Sequence, residues 1–417
     1  MVAVPHLAMT RLSTAAVRVA IVDDSVVVRG LLSRWLTETP GIEVVGTYRS
    51  GREIIEALPA AAPRIILLDL DMPDMDGITA LPLILAKSPD SRVIVVSSLS
   101  VHGAELTMRS LMRGATDYLP KPSNHREVST SADFRQALIA KVLAVGGVKA
   151  LVRAPYAPVH PAPGHAAPAH AAPAARAPYQ PASPIQRAPP AAIPVASFRP
   201  HPAAAPPIDK AGGIQLRPME RVRPKLVVIG ASTGGPQALV TLLVKMMPAI
   251  GRAPIVVAQH MPPIFGAIFA THLKQHAGLP AVEAADGKPL VAGTIYLAPG
   301  GCHTVVRRKP DGQLVLGMLP AEARGPWRPS IDLLFSSAAE SSGNEALAIA
   351  LTGMGRDGTE GATHLARRGA NIVVQDEASS VVWGIPGSIA EAGLANALLP
   401  PDKLGELAAA LLEGHTP

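Results

Sequence analysis

Ser232 lies among small residues, at a point where an aliphatic stretch gives way to a helical pattern. It follows Lys225 to Ile229 and belongs to Gly230 to Pro236, which fits G-x-S-x-G. A serine on a sharp strand-to-helix turn presents its hydroxyl above the sheet, and small neighbours let backbone amides approach a developing oxyanion. This pattern predicts a nucleophile. The alternative is a phosphate or dinucleotide loop, but the spacing is not G-x-G-x-x-G and no lysine follows.

A serine nucleophile needs a base, and the base needs an orienting carboxylate. His260 follows the aliphatic stretch Ile255 to Ala258, and Asp357 follows Ala346 to Leu351. Both fall at predicted carboxyl ends of strands, the edge from which the serine loop emerges. We therefore predict a Ser232, His260, Asp357 triad. The alternatives are a helix-capping or surface histidine and an Asx-turn aspartate. The order Ser, His, Asp argues against the usual α/β-hydrolase fold.

Acidic residues cluster in the same way in the first part of the chain. Asp23 and Asp24 follow the stretch Val17 to Val22, and Asp69 follows Arg64 to Leu68. Clustered carboxylates repel one another unless a hard cation lies between them, and such oxygen ligands suit Mg²⁺. The alternative is that each acid is a helix N-cap or turn residue.

Two further polar residues follow the next two predicted strands. Ser97 comes after Arg92 to Val96, and Lys121 comes after Thr116 to Leu119. A lysine that reaches the acidic cluster would neutralise and orient an incoming phosphoryl group. Together these positions predict a phosphoryl-accepting pocket.

Continuous Val/Ile/Leu stretches alternate with helical patterns in both halves of the chain, as strands buried on both faces require. We predict an α/β fold class with two doubly wound parallel-sheet domains, the first flavodoxin-like and the second Rossmann-like. The predicted ranges are an N-terminal extension at 1–16, a first domain at 17–147, a Pro/Ala/His-rich linker at 148–223 and a second domain at 224–414.

The predicted linker is rich in Ala, Pro, His and Arg. Alanine beside proline buries little surface, and proline lacks an amide donor, so we expect a long disordered stretch, partly polyproline II. His160, His165 and His170 recur there every five residues. A metal-binding tract is one interpretation, and compositional drift is the one we favour.

The amino-acid composition argues against several classes of function and location. The 417 residues include 38 Lys and Arg against 32 acids, a mild and scattered net charge of +6 that does not indicate nucleic-acid binding. The one cysteine, Cys302, excludes an internal disulfide and fits a reducing compartment. Without a secretory signal or a run of about 18 apolar residues, we expect a cytoplasmic protein with no membrane insertion.

Four segments of the first domain, VDDS, LLDLDMPDMDG, VVSS and DYLPKP, resemble the signature of response-regulator receiver domains. The resemblance covers essentially all of residues 17–147. It implies that Asp69 is the phospho-acceptor. It also implies a Mg²⁺ site made by Asp23, Asp24, Asp69 and the backbone carbonyl of Asp71.

The same resemblance implies three switch residues. Ser97 would be the switch hydroxyl, Lys121 the phosphate contact and Tyr118 the aromatic side chain that changes rotamer. Because phosphorylation adds about two negative charges, it would shift the face that docks on the second domain.

Six blocks of the second domain resemble the catalytic domain of chemotaxis protein-glutamate methylesterases, which also deamidate receptor glutamines. In order they are IGASTGGPQAL, QHMPP, YLAPGGCH, RPSIDLLF, ALTGMGRDG and VVQDEASSVVWGIPGS. The resemblance supports the triad and implies that Thr233 and Met354 are oxyanion or cleft residues. It implies methyl-accepting chemotaxis receptors as substrates, a chemotaxis histidine kinase as phosphodonor, and no cofactor for hydrolysis.

Three features depart from the family pattern. Ile385-Pro386-Gly387 stands where a Met-Pro-basic sequence is usual, and Trp327 precedes the RPSIDLLF block in an unusual context. The linker is also longer than usual, and the effective concentration of a tethered partner falls with length. By family analogy the unphosphorylated receiver inhibits, so we expect weak inhibition here and a modest activation by phosphorylation. The rival hypothesis is a non-enzymatic response regulator that binds nucleic acid or a nucleotide, but no helix-turn-helix is evident.

Overall fold

A computed structural model describes residues 16–98, 100–122, 131–147, 213–323 and 325–415. The described parts of 16–147 and 214–415 belong to one compact unit. The predicted N-terminal extension, apart from residue 16, lies outside the described residues. So does the predicted linker from 148 to 212, with its three regularly spaced histidines and its predicted disorder.

The first domain is a five-stranded parallel sheet in the order β2-β1-β3-β4-β5. This confirms the predicted flavodoxin-like fold, whose ligand site lies at the carboxyl ends of β1 and β3. Its elements are β1 (Val17–Val22), α1 (Val26–Thr37), β2 (Ile42–Tyr48), α2 (Gly51–Ala61), β3 (Ile65–Asp69), α3 (Gly77–Lys87), β4 (Arg92–Ser98), α4 (Val101–Met112), β5 (Asp117–Lys121) and α5 (Ala132–Val145).

Short polar side chains begin all five of these helices. Each accepts a hydrogen bond from an amide of the first turn, which satisfies a donor that the helix itself leaves unpaired. The capping residues are Ser25, Ser50, Asp76, Ser100 and Ser131.

The second domain is a seven-stranded parallel sheet in the order β14-β13-β12-β6-β7-β9-β8, which confirms the second doubly wound domain. Its elements are β6 (Leu226–Ala231), α6 (Gly235–Met246), β7 (Ile255–Gln259), α7 (Phe265–His276), β8 (Ala281–Glu283), β9 (Ile295–Leu297), β10 (His303–Arg308), β11 (Leu314–Leu319), α8 (Ile331–Ser342), β12 (Ala346–Ala350), α9 (Thr359–Arg367), β13 (Asn371–Gln375), α10 (Ile385–Glu391), β14 (Ala397–Leu399) and α11 (Pro401–Glu413).

Alternate residues of β6 face two different cores, as a strand buried on both faces requires. Val227 and Ile229 pack in the cluster that contains residues of α6, α7 and α11. Leu226 and Val228 pack in the cluster that contains residues of α8, α9 and α10. An antiparallel hairpin, β10 with β11, was not expected from the sequence.

The stretch before β6 packs on the second domain although the sequence assigned it to the linker. The Arg217 amide donates to the Ala395 carbonyl at 2.8 Å, and its guanidinium reaches the Ala370 carbonyl at 3.2 Å. The Arg223 guanidinium donates to the Leu412 carbonyl at 2.7 Å. These bonds attach an extended segment to the ends of secondary-structure elements, so it has no periodicity that the sequence could reveal.

The two domains contact each other directly. The Gln237 side-chain amide, on α6, donates to the Leu111 and Ala115 carbonyls at 2.8 and 2.7 Å, so it caps the end of α4. The ring of Tyr118, on β5, stacks on Phe265, the first residue of α7, with 4.8 Å between centroids. The second domain therefore contacts the strand that carries the predicted switch aromatic.

Candidate active site and phosphorylation site

The loop between β6 and α6 holds Ser232 in a tightly packed turn. The Ser232 amide donates to the Thr352 carbonyl at 3.1 Å, and its own carbonyl accepts from the Gly235 amide at 2.8 Å. Gly353, which follows β12, lies very close to Ser232. A Cβ at position 353 would lie 2.7 Å from the Ser232 Cβ. Only a residue without a side chain fits between these two strand ends, so the glycine brings the β6 and β12 loops together.

The sheet order brings the predicted triad to one edge. β7 and β12 are the two neighbours of β6, so the loops that carry His260 and Asp357 flank the Ser232 loop. The Gln259 side chain, at the end of β7, donates to the carbonyls of both Ser232 and His260, at 2.9 and 3.2 Å. Gln259 thereby joins the serine loop to the histidine loop, a role the sequence analysis did not predict.

His260 and Asp357 form a buried pair. His260 Nε2 lies 2.8 Å from Asp357 Oδ2, and the side chains are 6% and 3% exposed. A carboxylate only accepts, so Nε2 carries a proton, and in the neutral imidazole Nδ1 then keeps its lone pair. Nδ1 is buried and has no hydrogen-bond partner among the described residues. It is therefore available to accept a proton.

Asp357 is held by the N-terminus of α8. Its carboxylate accepts from the amides of Ile331 and Asp332 at 2.7 and 3.0 Å and from the Ser330 hydroxyl at 3.2 Å. Burial alone would raise the pKa of Asp357, but the hydrogen bond and charge of His260, followed by these amides, lower it below its ordinary value. A helix N-terminus favours negative charge, so Asp357 is held in its ionised form.

Asp332, in the first turn of α8, accepts hydrogen bonds from the chain that follows Asp357. Its Oδ1 accepts from the amides of Gly358 and Gly361, both at 2.9 Å, at the start of α9. The two aspartates thus cap each other's helices. The sequence analysis did not single out Asp332, although an acid in the first turn of a helix is a known sign of this role.

A small cavity of about 40 Å³ contains the predicted nucleophile and base. This volume holds only a few water molecules. Residues of both domains line it: Ser232, Thr233, His260, Met261, Pro262, Trp327 and Met354 from the second, and Asp117, Tyr118, Pro120 and Lys141 from the first. The structure thus brings Ser232, His260, Thr233 and Met354 together, with Asp357 behind the imidazole, and the first domain covers them.

The acidic residues of the first domain also meet. Carboxylate oxygens of Asp23, Asp24 and Asp69 lie within 4.8 Å of one another. Lys121 Nζ contacts Asp23 at 2.8 Å and Asp69 at 2.7 Å. Burial raises the pKa of Asp69 to about 6, against the charge of Lys121 and with help from Asp23. Crowded oxygen ligands with excess negative charge fit a hard divalent cation.

The remaining predicted residues of this pocket have distinct positions. The Asp71 amide lies 3.5 Å from Asp69 Oδ1, in the loop after β3. Ser97 is buried, and its hydroxyl shares a 2.5 Å hydrogen bond with Thr107 of α4. Tyr118 is buried against Phe265 of the other domain. Ser97 and Tyr118 therefore link the pocket to α4 and to the domain interface.

In the part of the chain that the structure describes, we find no helix with the length and apolar character needed to cross a membrane.

Together, the fold and site define a two-domain response regulator whose second domain has an α/β fold. The family description "CheB methylesterase" matches residues 227–408, and "Response regulator receiver domain" matches residues 19–133. A protein-glutamate methylesterase/protein-glutamine glutaminase of group 2 operon from Bradyrhizobium diazoefficiens is 42% identical over 392 residues, which are 93% of this chain and 92% of the relative. The chain belongs to the CheB methylesterase family.

A second relative agrees with this assignment. A protein-glutamate methylesterase/protein-glutamine glutaminase 1 from Rhodospirillum rubrum is 41% identical over 386 residues, 92% of each chain. The crystal structure of the Thermotoga maritima CheB methylesterase catalytic domain is 37% identical, with a TM-score of 0.43, and the match covers 46% of this chain and 99% of that one.

Proposed function

We propose that the protein is a phosphorylation-regulated serine hydrolase that demethylates glutamate methyl esters, and deamidates glutamines, on methyl-accepting chemotaxis receptors. One observation carries the proposal. His260 lines the same cavity as Ser232, and its buried Nδ1 has no hydrogen-bond partner within the described part of the chain, while its Nε2 is hydrogen-bonded to Asp357. Nucleophilic serine catalysis needs a base in this state.

In the proposed reaction, the Ser232 hydroxyl attacks the carbonyl carbon of the ester and His260 Nδ1 takes its proton. Asp357 stabilises the imidazolium that results. Amides of the Thr233 and Met354 loops stabilise the oxyanion, at about 3 kcal/mol for each donor. Methanol then leaves with the proton from His260. Water hydrolyses the acyl-enzyme to a glutamate and restores the serine, and a glutamine reacts likewise with loss of ammonia.

Regulation is proposed to begin at Asp69, with a chemotaxis histidine kinase as the phosphodonor. Asp23, Asp24, Asp69 and the Asp71 carbonyl would hold Mg²⁺, which supplies charge neutralisation for phosphoryl transfer. Lys121, already within 2.7 Å of Asp69, would contact the phosphoryl group. Hydrolysis itself would need no cofactor.

The lining of the cavity supports inhibition by the unphosphorylated first domain, because Asp117, Tyr118, Pro120 and Lys141 of that domain lie around the space beside Ser232. When Asp69 is phosphorylated, the Ser97 hydroxyl would leave Thr107 for the phosphoryl group, and Tyr118 would change rotamer. That movement would break the Tyr118 and Phe265 stack and open the site. We place these events in the cytoplasm, consistent with the unpaired Cys302.

A serine-directed fluorophosphonate probe tests the chemistry. The full chain, with a small-molecule phosphodonor and Mg²⁺, should be labelled and should release methanol from methylated receptor. Ser232→Ala should lose both activities and keep its Tm. The matched control is Ser341→Ala, at a buried serine on α8 whose hydroxyl has no partner among the described residues. Wild-type turnover by Ser232→Ala would refute the proposal.

A further inference from the structure

Trp327 lies face to face with the proposed base. The indole and the His260 imidazole are stacked with 5.0 Å between centroids and only 4° between their planes. Gly355, at φ 93°, lies beside the indole, and a Cβ there would come within 3.3 Å of the Trp327 ring. The loop before α8 and the loop that carries Asp357 thus build a fitted place for this indole beside the imidazole.

The stack on Trp327 limits a motion of the His260 ring that its hydrogen bond to Asp357 does not limit. Bonding at Nε2 fixes one atom of the His260 ring to Asp357, but the ring can still tilt about that contact. A flat partner against one ring face opposes tilting toward that face, because the motion would drive the ring into the indole. The two contacts together restrict the imidazole plane, and with it the direction of Nδ1.

The stack also affects the positive charge that His260 gains when it is protonated. The proposed base changes from neutral imidazole to imidazolium as it takes the serine proton. An aromatic face attracts a cation through its quadrupole, and tryptophan does so most strongly. The interaction is therefore stronger after proton transfer than before it, as an interaction that accelerates a chemical step must be.

We propose that Trp327 is a positioning residue that restricts the plane of His260 and stabilises its protonated form during proton transfer. The inference rests on the proposed function and goes beyond it. It predicts that losing the aromatic face slows acylation about tenfold, the range of a partly desolvated cation–π contact.

Other charged groups near His260 stay unchanged when Trp327 is replaced. Asp357 is bonded to the imidazole, and Asp332 lies behind it at the start of α8. Arg356, on the Asp357 loop, is exposed. From the first domain, Asp117 and Lys141 line the cavity as an ion pair with each other. A shift of the pH profile in Trp327 variants is therefore assigned to the indole.

The experiment measures the rate of fluorophosphonate inactivation against pH for the full chain with phosphodonor and Mg²⁺. Trp327→Phe keeps an aromatic face, and Trp327→Leu removes it while remaining apolar. We expect Phe to stay within about threefold of wild type and Leu to lose about tenfold. The acid limb for Leu should move to lower pH, because the imidazolium loses its stabilising partner.

Several outcomes would overturn the inference. Equal rates and equal pH profiles for Phe and Leu would do so, as would an acid limb for Leu at higher pH, which indicates shielding from water only. A rise in KM with unchanged kcat in methanol release would make Trp327 a substrate contact instead. If Leu fails to fold, Trp327→Met replaces it. An unlabelled wild type would refute the proposed function itself, whereas a labelled wild type with equal variants refutes the inference alone.

Discussion

The two sites each use a buried aspartate at the carboxyl edge of a parallel sheet, but the pKa shifts of the two side chains are opposite. Asp69 and Asp357 are both buried near the carboxyl end of a strand. The pKa of Asp69 is raised to about 6, because burial and the neighbouring Asp23 outweigh Lys121. The pKa of Asp357 is lowered, because His260 and the amides at the start of α8 outweigh burial.

The difference shows how partners decide what a buried carboxylate can do. Asp357 has its hydrogen bonds supplied by the fold, which favours its ionised form and suits it to the proposed role of orienting His260. Asp69 shares one lysine with a second aspartate, so its charge is only partly compensated. A site left short of positive charge is suited to accept a cation and then a phosphoryl group.

The largest expected effect comes from Asp357→Asn. An asparagine amide can donate to Nε2, which would favour the wrong imidazole tautomer, and kcat for methanol release should fall about 10⁴-fold. Because the native carboxylate has a lowered pKa, its stabilising contribution is present above the unfolded pKa, so the variant should also be less stable at pH 7. Asp311→Asn, on the exposed turn before β11, is the control. A fall below tenfold would remove Asp357 from the triad.

A smaller effect is expected at Asp332, which supports Asp357 indirectly. Asp332→Ala removes the acceptor for the Gly358 and Gly361 amides, so kcat should fall 10- to 100-fold, by the rough scale for displaced supporting contacts. The free energy of unfolding should fall by about 1–3 kcal/mol. Asp332→Asn keeps an oxygen acceptor and should recover most of the activity. Denaturant unfolding and methanol release measure both effects, and identical Ala and Asn variants would contradict this role.

The last expected effect is a change in stability alone, and it has the opposite sign. Asp69→Asn removes a carboxylate whose folded pKa, about 6, lies above its unfolded value of 3.8. The protonated form is favoured in the fold, so that stability is present below pH 3.8 and lost as pH rises through 6. The variant should therefore gain about 3 kcal/mol at pH 7 and nothing below pH 3.8. Urea unfolding at pH 7 and at pH 3.5, without Mg²⁺, measures this, and a destabilised variant at pH 7 would break the comparison.

Much of both sites was predictable because strand ends are local features. Aliphatic stretches that ended at or shortly before Asp69, His260 and Asp357 placed those residues at one edge of each sheet. The strand order was not predictable in this way, since β12, β6 and β7 are neighbours only in the folded sheet. Only the resemblance to known families indicated that the loops after these strands lie side by side. The residue roles that the resemblance implied stay predictions.

Asp332 and Gln259 were missed for a physical reason. Asp332 matters because the starts of α8 and α9 face each other, and Gln259 matters because two loop carbonyls converge on it. The Gln259 contacts have no local signature, and the first-turn position of Asp332 marks a helix start without showing that its side chain reaches a second helix. The Trp327 stack is similar, because the sequence marked the residue as unusual but gave no partner for its ring.

The attachment of Arg217 and Arg223 to the second domain separates the catalytic part of the chain from changes upstream. A force on the segment before Arg217, or a change in its length, would act on the hydrogen bonds to the Ala370, Ala395 and Leu412 carbonyls. These three residues are remote in sequence from the Ser232 loop. Insertions and deletions before Arg217 can therefore accumulate during evolution without disturbing β6. The length of the chain between the two domains is thus free to change while the geometry around Ser232 is kept.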